Sequence, residues 1–594
     1  MPSIIRTNRR AITSLEDVLS INSSSDRESE QFDMFLQDWS RRDVLRGMGG
    51  ALAFTAFLAG GVEFLAACGG GPTTTTTQNV VKGGHLVEGS ISDIANLNPI
   101  FSNDTASNTV RDMIYDRLLT VDATGNLLAN IATEVPKVDS DQVTYKFKLR
   151  NDVKWSDGQQ FTADDVVFTF QLMFDPKYKA VTSRYRSQLE QYLASATAPD
   201  KSTVVFKTTS AYAPFLISFG TLPILPKHVW ETLQPAAINS SEMNQVPTVG
   251  SGPFVPVKWD KGAQYQLKRN DTYFRGKANL DSYIAKVVPD AVQVANQLKT
   301  GEIDVGQPDA SVWDSLATAQ NVNRVSYVGP SFAYYIQNLD PAKTPKAAIF
   351  GDLQVRKALL TALDLTKVAD KVYFGQAAPA DSSVSSAQWV HTMPKTQYHY
   401  SLSNAEKILD AAGWVKGADG VRAKGGVRME WELRTNAGNK VRETLITVLA
   451  DQWKQVGANV ATKAIQFPQL VTQLTQTREF EMILLGISEG LDPDTTQLWH
   501  SKSIGNGALN GMAYKNPKVD DLLDQAVKTL DREKRKGLYQ QIQEILMEDL
   551  PAPLLTFPKS LWGVSRRVKN FNVGPWNTSS PRPWFKDVFV TDGK

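Results

Sequence analysis

An α/β fold with mixed sheets, divided into two or more lobes, is predicted by three features of the sequence. From Gly83 onward, short β-rich runs alternate with helical segments, and such alternation packs as layered α/β structure. The length of 594 residues is several times what one compact core usually serves. Hydrophobic residues make up 42% and charged residues 21%, the balance of a folded chain. Lys plus Arg (64) and Asp plus Glu (62) nearly cancel, so neither a basic surplus for nucleic acid nor an acidic tail is present.

The first 67 residues read as a leader and signal peptide. Residues 1–39 are polar and Ser-rich, and Ser40-Arg41-Arg42-Asp43-Val44-Leu45-Arg46 then precedes an uncharged run from Gly47 to Val62. A charged stretch, an apolar stretch and small residues are the parts of a secretory signal. The pair Arg41-Arg42 resembles the twin-arginine export signal. Leu65-Ala66-Ala67-Cys68 resembles the bacterial lipobox, which implies cleavage before Cys68 and a lipid on its thiol. A single membrane-spanning anchor is the alternative, since about twenty residues suffice to cross a bilayer. Cys68 is the one cysteine of the chain, so intramolecular disulfides and Cys-based zinc sites are excluded. Residues 68–82, with Gly69-Gly70-Gly71-Pro72 and Thr73 to Thr77, have the composition of a flexible tether.

Val143–Leu149 alternates apolar and polar residues with period two, the pattern of a half-buried strand. Leu353, Leu359, Ala362 and Leu363 recur at helical spacing within Asp352–Leu363, and Asp364 is placed to cap a following helix, Leu365–Phe374. Ser403-Asn404-Ala405-Glu406 has the form of a capping box, with Gly413 at the C′ position of that helix. Residues 441–456 and 518–548 read as two more amphipathic helices, and Phe480–Leu485 as a short apolar strand. No internal repeat is evident.

Trp155 and Asp157 read as structural, because Asp157-Gly158 makes a turn and Trp155 fills the core beneath it. Gly486-Ile487-Ser488-Glu489-Gly490 matches the Gly-x-Ser-x-Gly hydrolase elbow. That fold needs a downstream acid and then a histidine, and His500, twelve residues on, is the sole later histidine. His85, His228, His391, His399 and His500 show no metal-ligand spacing, and no Gly-Lys-Ser/Thr phosphate loop occurs. Neither a cofactor nor a metal is expected, and ATP hydrolysis is assigned to a partner chain.

Several segments in order resemble the family 5 extracellular solute-binding proteins, the dipeptide and oligopeptide receptors of ABC importers. The signature strand and turn reads Tyr145-Lys146-Phe147-Lys148-Leu149-Arg150-Asn151-Asp152-Val153-Lys154-Trp155-Ser156-Asp157-Gly158, followed by Phe161-Thr162-Ala163-Asp164-Asp165-Val166. Further matches are Gly250-Ser251-Gly252-Pro253-Phe254, Leu298–Asp304, Val355-Arg356-Lys357-Ala358-Leu359, Ala411-Ala412-Gly413-Trp414 and Asn516-Pro517-Lys518-Val519-Asp520. The resemblance implies a periplasmic-binding-protein type II-like fold: two lobes joined by a two-strand hinge, with a small lobe inserted in the first. Lobe I then comprises 83–130, 246–325 and 556–594, the inserted lobe 131–245, and lobe II 326–555.

The same resemblance implies a role and a site. The chain is expected to be no enzyme but a monomeric receptor, exported to the periplasm or the outer face of the cell membrane. It captures a peptide ligand between its lobes and delivers it to ABC permease and ATPase subunits. Glu489, four residues before Pro493, stands where peptide-binding relatives usually place an Asp facing the ligand's amino terminus. A ligand ammonium would pair that carboxylate. Ser90 after the first strand, Tyr334 and Tyr335 near the start of lobe II, and Trp389 in a later loop are further ligand-binding candidates. Asp492 and Asp494 read as local turn and cap residues. Two alternatives stay open: an oligosaccharide or metal-chelate receptor on the same fold, the chelate held by His391 and His399, and a secreted hydrolase using Ser488.

Overall fold

Polar side chains that satisfy free backbone N–H groups start most of the helices. The computed structural model describes residues 79–593 except 103, 506, 578–581 and 583. Arg41, Arg42, Cys68 and the tether up to residue 78 lie outside the described residues. Among the described residues no helix is long and apolar enough to cross a membrane.

Strand β1 (His85–Ser90) leads to helix α1 (Thr105–Ile114), whose N-terminus is capped by Asp104 accepting from the Ser107 N–H. The stretch that follows folds into a separate antiparallel sheet of β2 (Thr144–Lys148), β3 (Leu193–Asp200) and β4 (Thr203–Thr208), in the order β2-β4-β3. Along β2, buried Tyr145 and Phe147 alternate with exposed Lys146 and Lys148, as the period-two pattern requires. Trp155 is fully buried, and Gly158 adopts φ +91° in the turn beside it. Asp157 accepts from the Gln159 N–H there and meets His228 Nε2 at 2.8 Å.

The main sheet has twelve strands. Its first half contains β1, β5 (Phe254–Asp260), β6 (Gln264–Arg269), β7 (Ser282–Val287), β8 (Val305–Gly306) and β9 (Val322–Val328). Its second half contains β10 (Ser331–Gln337), β11 (Ala377–Pro379), β12 (Glu430–Asn436), β13 (Asn459–Ile465) and β14 (Met482–Ser488). The twelfth strand, β15 (Leu554–Ser565), belongs to both. Its Lys559–Ser565 stretch pairs with β9 and β8, and its Leu554–Pro558 stretch pairs with β10 and β11. Two passages therefore cross between the halves: β15, and β9–β10 through Gly329-Pro330. Parallel pairs (β1 with β7 and β8; β12 with β13 and β14) coexist with antiparallel ones, so the sheet is mixed.

Helix α2 (Leu353–Thr361) is capped by Asp352 and α3 (Leu365–Val372) by Asp364, as the spacing predicts. Helix α4 (Leu402–Ala411) departs from expectation at its start. Its cap is Ser401, whose hydroxyl accepts from the Asn404 N–H, and Glu406 instead reaches Lys416 Nζ at 3.1 Å. Two serines two positions apart compete for one cap, and the extended backbone at Ser401 decides between them. Gly413 takes φ +81° after the helix, the left-handed geometry that glycine adopts freely. Helix α5 (Lys440–Gln455) starts at Asn439, which accepts from the Arg442 N–H. The expected 518–548 helix is two, α6 (Pro517–Lys528) and α7 (Arg532–Asp549). Asp531 accepts from the Lys534 N–H and starts the second helix afresh. Strand β14 likewise begins two residues later than Phe480 and runs on to Ser488.

The second half has a core on each face of its sheet. Ala333 and Tyr335 point to one with Leu445, Leu449 and Trp453, and Phe332, Tyr334 and Ile336 to the other with Leu523 and Ile542. The inserted stretch shares a continuous core with the first half, in which Leu86, Phe254 and Tyr283 join Trp155 and Phe206.

Candidate functional site

Open α/β sheets bind ligands beyond the carboxyl ends of their strands, and Glu489 immediately follows the carboxyl end of β14. Its own N–H donates to the Pro330 carbonyl at 2.6 Å, tying the residue to the crossing between β9 and β10. Its carboxylate accepts from the Ser385 N–H at 3.1 and 3.3 Å. No Lys or Arg among the described residues lies within ion-pair distance. Burial without a counter-cation pushes its pKa up to about 8, against the smaller opposing effect of the Ser385 N–H. Glu489 lines a cavity of about 140 Å³ with Gln388, Pro493 and Leu498. Gln388 donates through Nε2 to the Gly490 carbonyl at 2.7 Å, while its Oε1 is buried without a partner. One acceptor without a donor and a carboxyl group without a counter-cation thus share one cavity, an arrangement that suits a group carrying several N–H donors and a positive charge.

Asp492 does more than make a local turn. It accepts from the Asp494 N–H, but its two oxygens also take 2.6 Å hydrogen bonds from Arg535 of α7, with both side chains nearly buried. This long-range anchor fixes the loop that carries Glu489. Asp494 is a local cap, accepting from the N–H and hydroxyl of Thr496.

Arg442, in the first turn of α5, escaped the sequence reading. Its guanidinium donates to Asn436 Oδ1 at 2.7 Å and to the Gly486 carbonyl at 3.4 Å. No carboxylate among the described residues pairs with it, and burial holds its pKa below the ordinary arginine value. A Cβ at Gly486 would approach Nη2 to 2.9 Å, so the first glycine of Gly-x-Ser-x-Gly makes room for this arginine. Ser488 is exposed, the last residue of β14, opposite Ser331. His500 is held instead by Asp520 and Asp524, at 3.3 and 3.4 Å. No hydrogen bond joins Ser488 to a histidine among the described residues.

The other candidates fall in different places. Tyr334 and Tyr335 are fully buried on opposite faces of β10, with neither hydroxyl hydrogen-bonded. Both are core residues and neither is a cleft wall, because sheet faces covered on both sides bury successive residues alike. Trp389 is half-buried, with the Arg532 guanidinium 4.6 Å over its ring. Ser90 ends β1, donates to the Ser92 carbonyl at 2.7 Å, and lines a cavity of about 270 Å³. His391 meets Asp381 at 2.9 Å, and no cluster of three or more metal-ligating side chains occurs among the described residues.

Two half-sheets joined by two crossings, with unpaired charges near the crossing, define a hinged binding protein. Comparison with known proteins places it more narrowly. The model of the bacterial extracellular solute-binding proteins, family 5, matches residues 126–508. The chain is 30% identical over 524 residues to the oligopeptide-binding protein AppA of Bacillus subtilis, covering 86% of this chain and 94% of that protein. It is 30% identical over 557 residues to protein XP55 of Streptomyces lividans, covering 91% and 96%. The solved structure of AppA in complex with a nonapeptide superposes with a TM-score of 0.71, covering 86% of this chain and 99% of that one. NikZ of Campylobacter jejuni in complex with Ni(L-His), 26% identical, superposes with a TM-score of 0.70, covering 82% and 96%. The chain belongs to family 5 of the bacterial extracellular solute-binding proteins.

Proposed function

We propose that this protein is the peptide receptor of an ABC importer, exported, held to the membrane by a lipid on Cys68, and monomeric. The observation that carries the ligand class is the Glu489 cavity, where a carboxyl group with only the Ser385 N–H as donor lies beside the unpartnered Gln388 carbonyl oxygen. A peptide's terminal ammonium supplies three donors and the missing charge. Arg442 offers a complementary unpaired cation for a ligand carboxylate. An acidic group and a guanidinium, each without a counter-ion, favour a zwitterion over a neutral sugar, since a ligand of opposite charge is what lets each be buried in its ionised form. The relatives named for oligopeptide binding support the same reading. Lobe boundaries at 130/131, 245/246, 325/326 and 555/556 are part of the proposal, with the β9–β10 and β15 crossings as the hinge and closure over the ligand as the working motion. Paired arginines at 41–42 and the Leu65–Cys68 motif support export and anchoring.

The test is native mass spectrometry of the full chain purified without added ligand, then denatured to release whatever co-purified. Released peptides are the expected result. A sugar or a metal chelate would overturn the ligand class while leaving the receptor role. In parallel, Glu489→Gln is expected to weaken peptide binding by about tenfold or more. Unchanged affinity removes Glu489 from the site.

A further inference from the structure

In the first half of the sheet, β1, β7 and β8 run parallel and end together at Ser90, Val287 and Gly306. Ser90, Val287 and Gln307, which follows Gly306, line the cavity of about 270 Å³. Its walls are mostly apolar, with Ile94, Val110, Tyr265, Ala285 and Trp562 among them. A buried ion pair also faces it. Arg582 donates to the two Glu88 oxygens at 2.6 and 2.9 Å, and the Tyr283 hydroxyl adds a third hydrogen bond at 3.1 Å. The side chains of Arg582 and Glu88 are only 1% and 6% exposed. The pair is internally neutral, and neither Glu88 oxygen lacks a donor. Asp93 also lines the cavity, its carboxylate accepting from the Trp259 indole N–H and the Gly262 N–H, with no Lys or Arg among the described residues at ion-pair distance.

We propose that this cavity is a side-chain pocket selecting one apolar side chain, aromatic or branched aliphatic, of the bound peptide and rejecting an anionic one. The inference rests on the peptide reading and adds the chemistry of one ligand position. Apolar walls reward burial of apolar surface. An entering anionic side chain is stripped of water beside Asp93 and a pair whose charges already neutralise each other, so nothing compensates its desolvation. The reach is that of a short peptide. Trp562 stands four residues along β15 from Pro558, or about 13 Å of strand. The Pro558 carbonyl accepts from the Gly329 N–H, next to Pro330, which holds Glu489. An extended peptide anchored at Glu489 can therefore place a side chain in this pocket.

The experiment is calorimetric titration of the full chain with free-ended polyalanine peptides of four to nine residues. Phe or Glu replaces alanine at each position in turn. At one position Phe is expected to bind about tenfold tighter than Ala, and Glu about tenfold weaker. In Ala106→Phe, which fills the cavity from the first turn of α1, the Phe advantage is expected to vanish while polyalanine affinity holds. The peptide scan on the unaltered chain decides the question even where that variant folds poorly. Polyalanine binding with no position preferring Phe over Ala overturns the pocket and leaves the peptide reading intact. Failure of every peptide, polyalanine included, overturns both.

Discussion

On the proposed peptide reading, Glu489 sets the proton chemistry of ligand capture. Its raised pKa of about 8 keeps most of the carboxyl neutral at pH 7 in the empty receptor, whereas a bound ammonium favours the carboxylate. Binding at pH 7 therefore releases close to one proton, and affinity rises with pH until the ligand's own amino group, with a pKa near 8, begins to lose its charge. Titrations in buffers of different ionisation enthalpy measure that release, and Glu489→Gln is expected to abolish it. Absence of proton release from the unaltered chain would sink the counter-ion role. The stability sign follows from the same shift. With a folded pKa above the unfolded carboxylate value, the folded state holds the extra proton between about pH 4.5 and 8. Stability of the empty receptor accordingly falls as pH rises through that window, and Glu489→Gln flattens the fall in thermal melts.

At the scale of elements, the Asp492–Arg535 pair joins the loop after β14 to helix α7. Both side chains are nearly buried, so removing one partner strands the other's charge. Asp492→Ala is expected to cost about 3–5 kcal/mol in urea unfolding, and the paired change Asp492→Leu with Arg535→Met to recover much of it. A cost below about 1 kcal/mol for Asp492→Ala would show that the pair does not hold the loop. The separate helices α6 and α7 matter here, because a single continuous 518–548 helix would turn Arg535 along a different direction. The break at Thr529–Asp531 was not read from the sequence, although the apolar periodicity lapses between Leu530 and Leu538 and Asp531 is a residue type that starts helices.

For the whole molecule, contacts far from the hinge tie the two sides of the cleft together. The Trp576 indole N–H donates to the Ala387 carbonyl at 3.1 Å, and the Ala213 N–H donates to the Val527 carbonyl at 2.8 Å. On the proposed lobe boundaries these contacts join lobe II to lobe I and to the inserted lobe. Trp576→Phe keeps the bulk and deletes the donor, which is expected to shift the empty receptor toward open forms and raise ligand dissociation about threefold to tenfold. Small-angle scattering and stopped-flow dissociation measure the two effects. An unchanged radius of gyration together with an unchanged off-rate would exclude the contact as a latch.

The sequence by itself determined the α/β class, the period-two strand around Tyr145 and Phe147, the helix starts at Asp352 and Asp364, and the family through its ordered motifs. All of these depend on neighbours a few residues apart, or on order along the chain. Glu489 was singled out as a candidate for the same reason, through its fixed distance from Pro493. Only the tertiary structure decided that Tyr334 and Tyr335 are core, that Asp492 anchors Arg535, that Gln388 lines the Glu489 cavity and that Arg442 meets Gly486. Residue type and spacing do not show whether both faces of a strand are covered. Gln388 meets Gly490 across 102 positions and Arg442 meets Gly486 across 44, so neither contact leaves a local signal. A cavity lined by groups without counter-ions becomes visible only when every other possible partner has been placed.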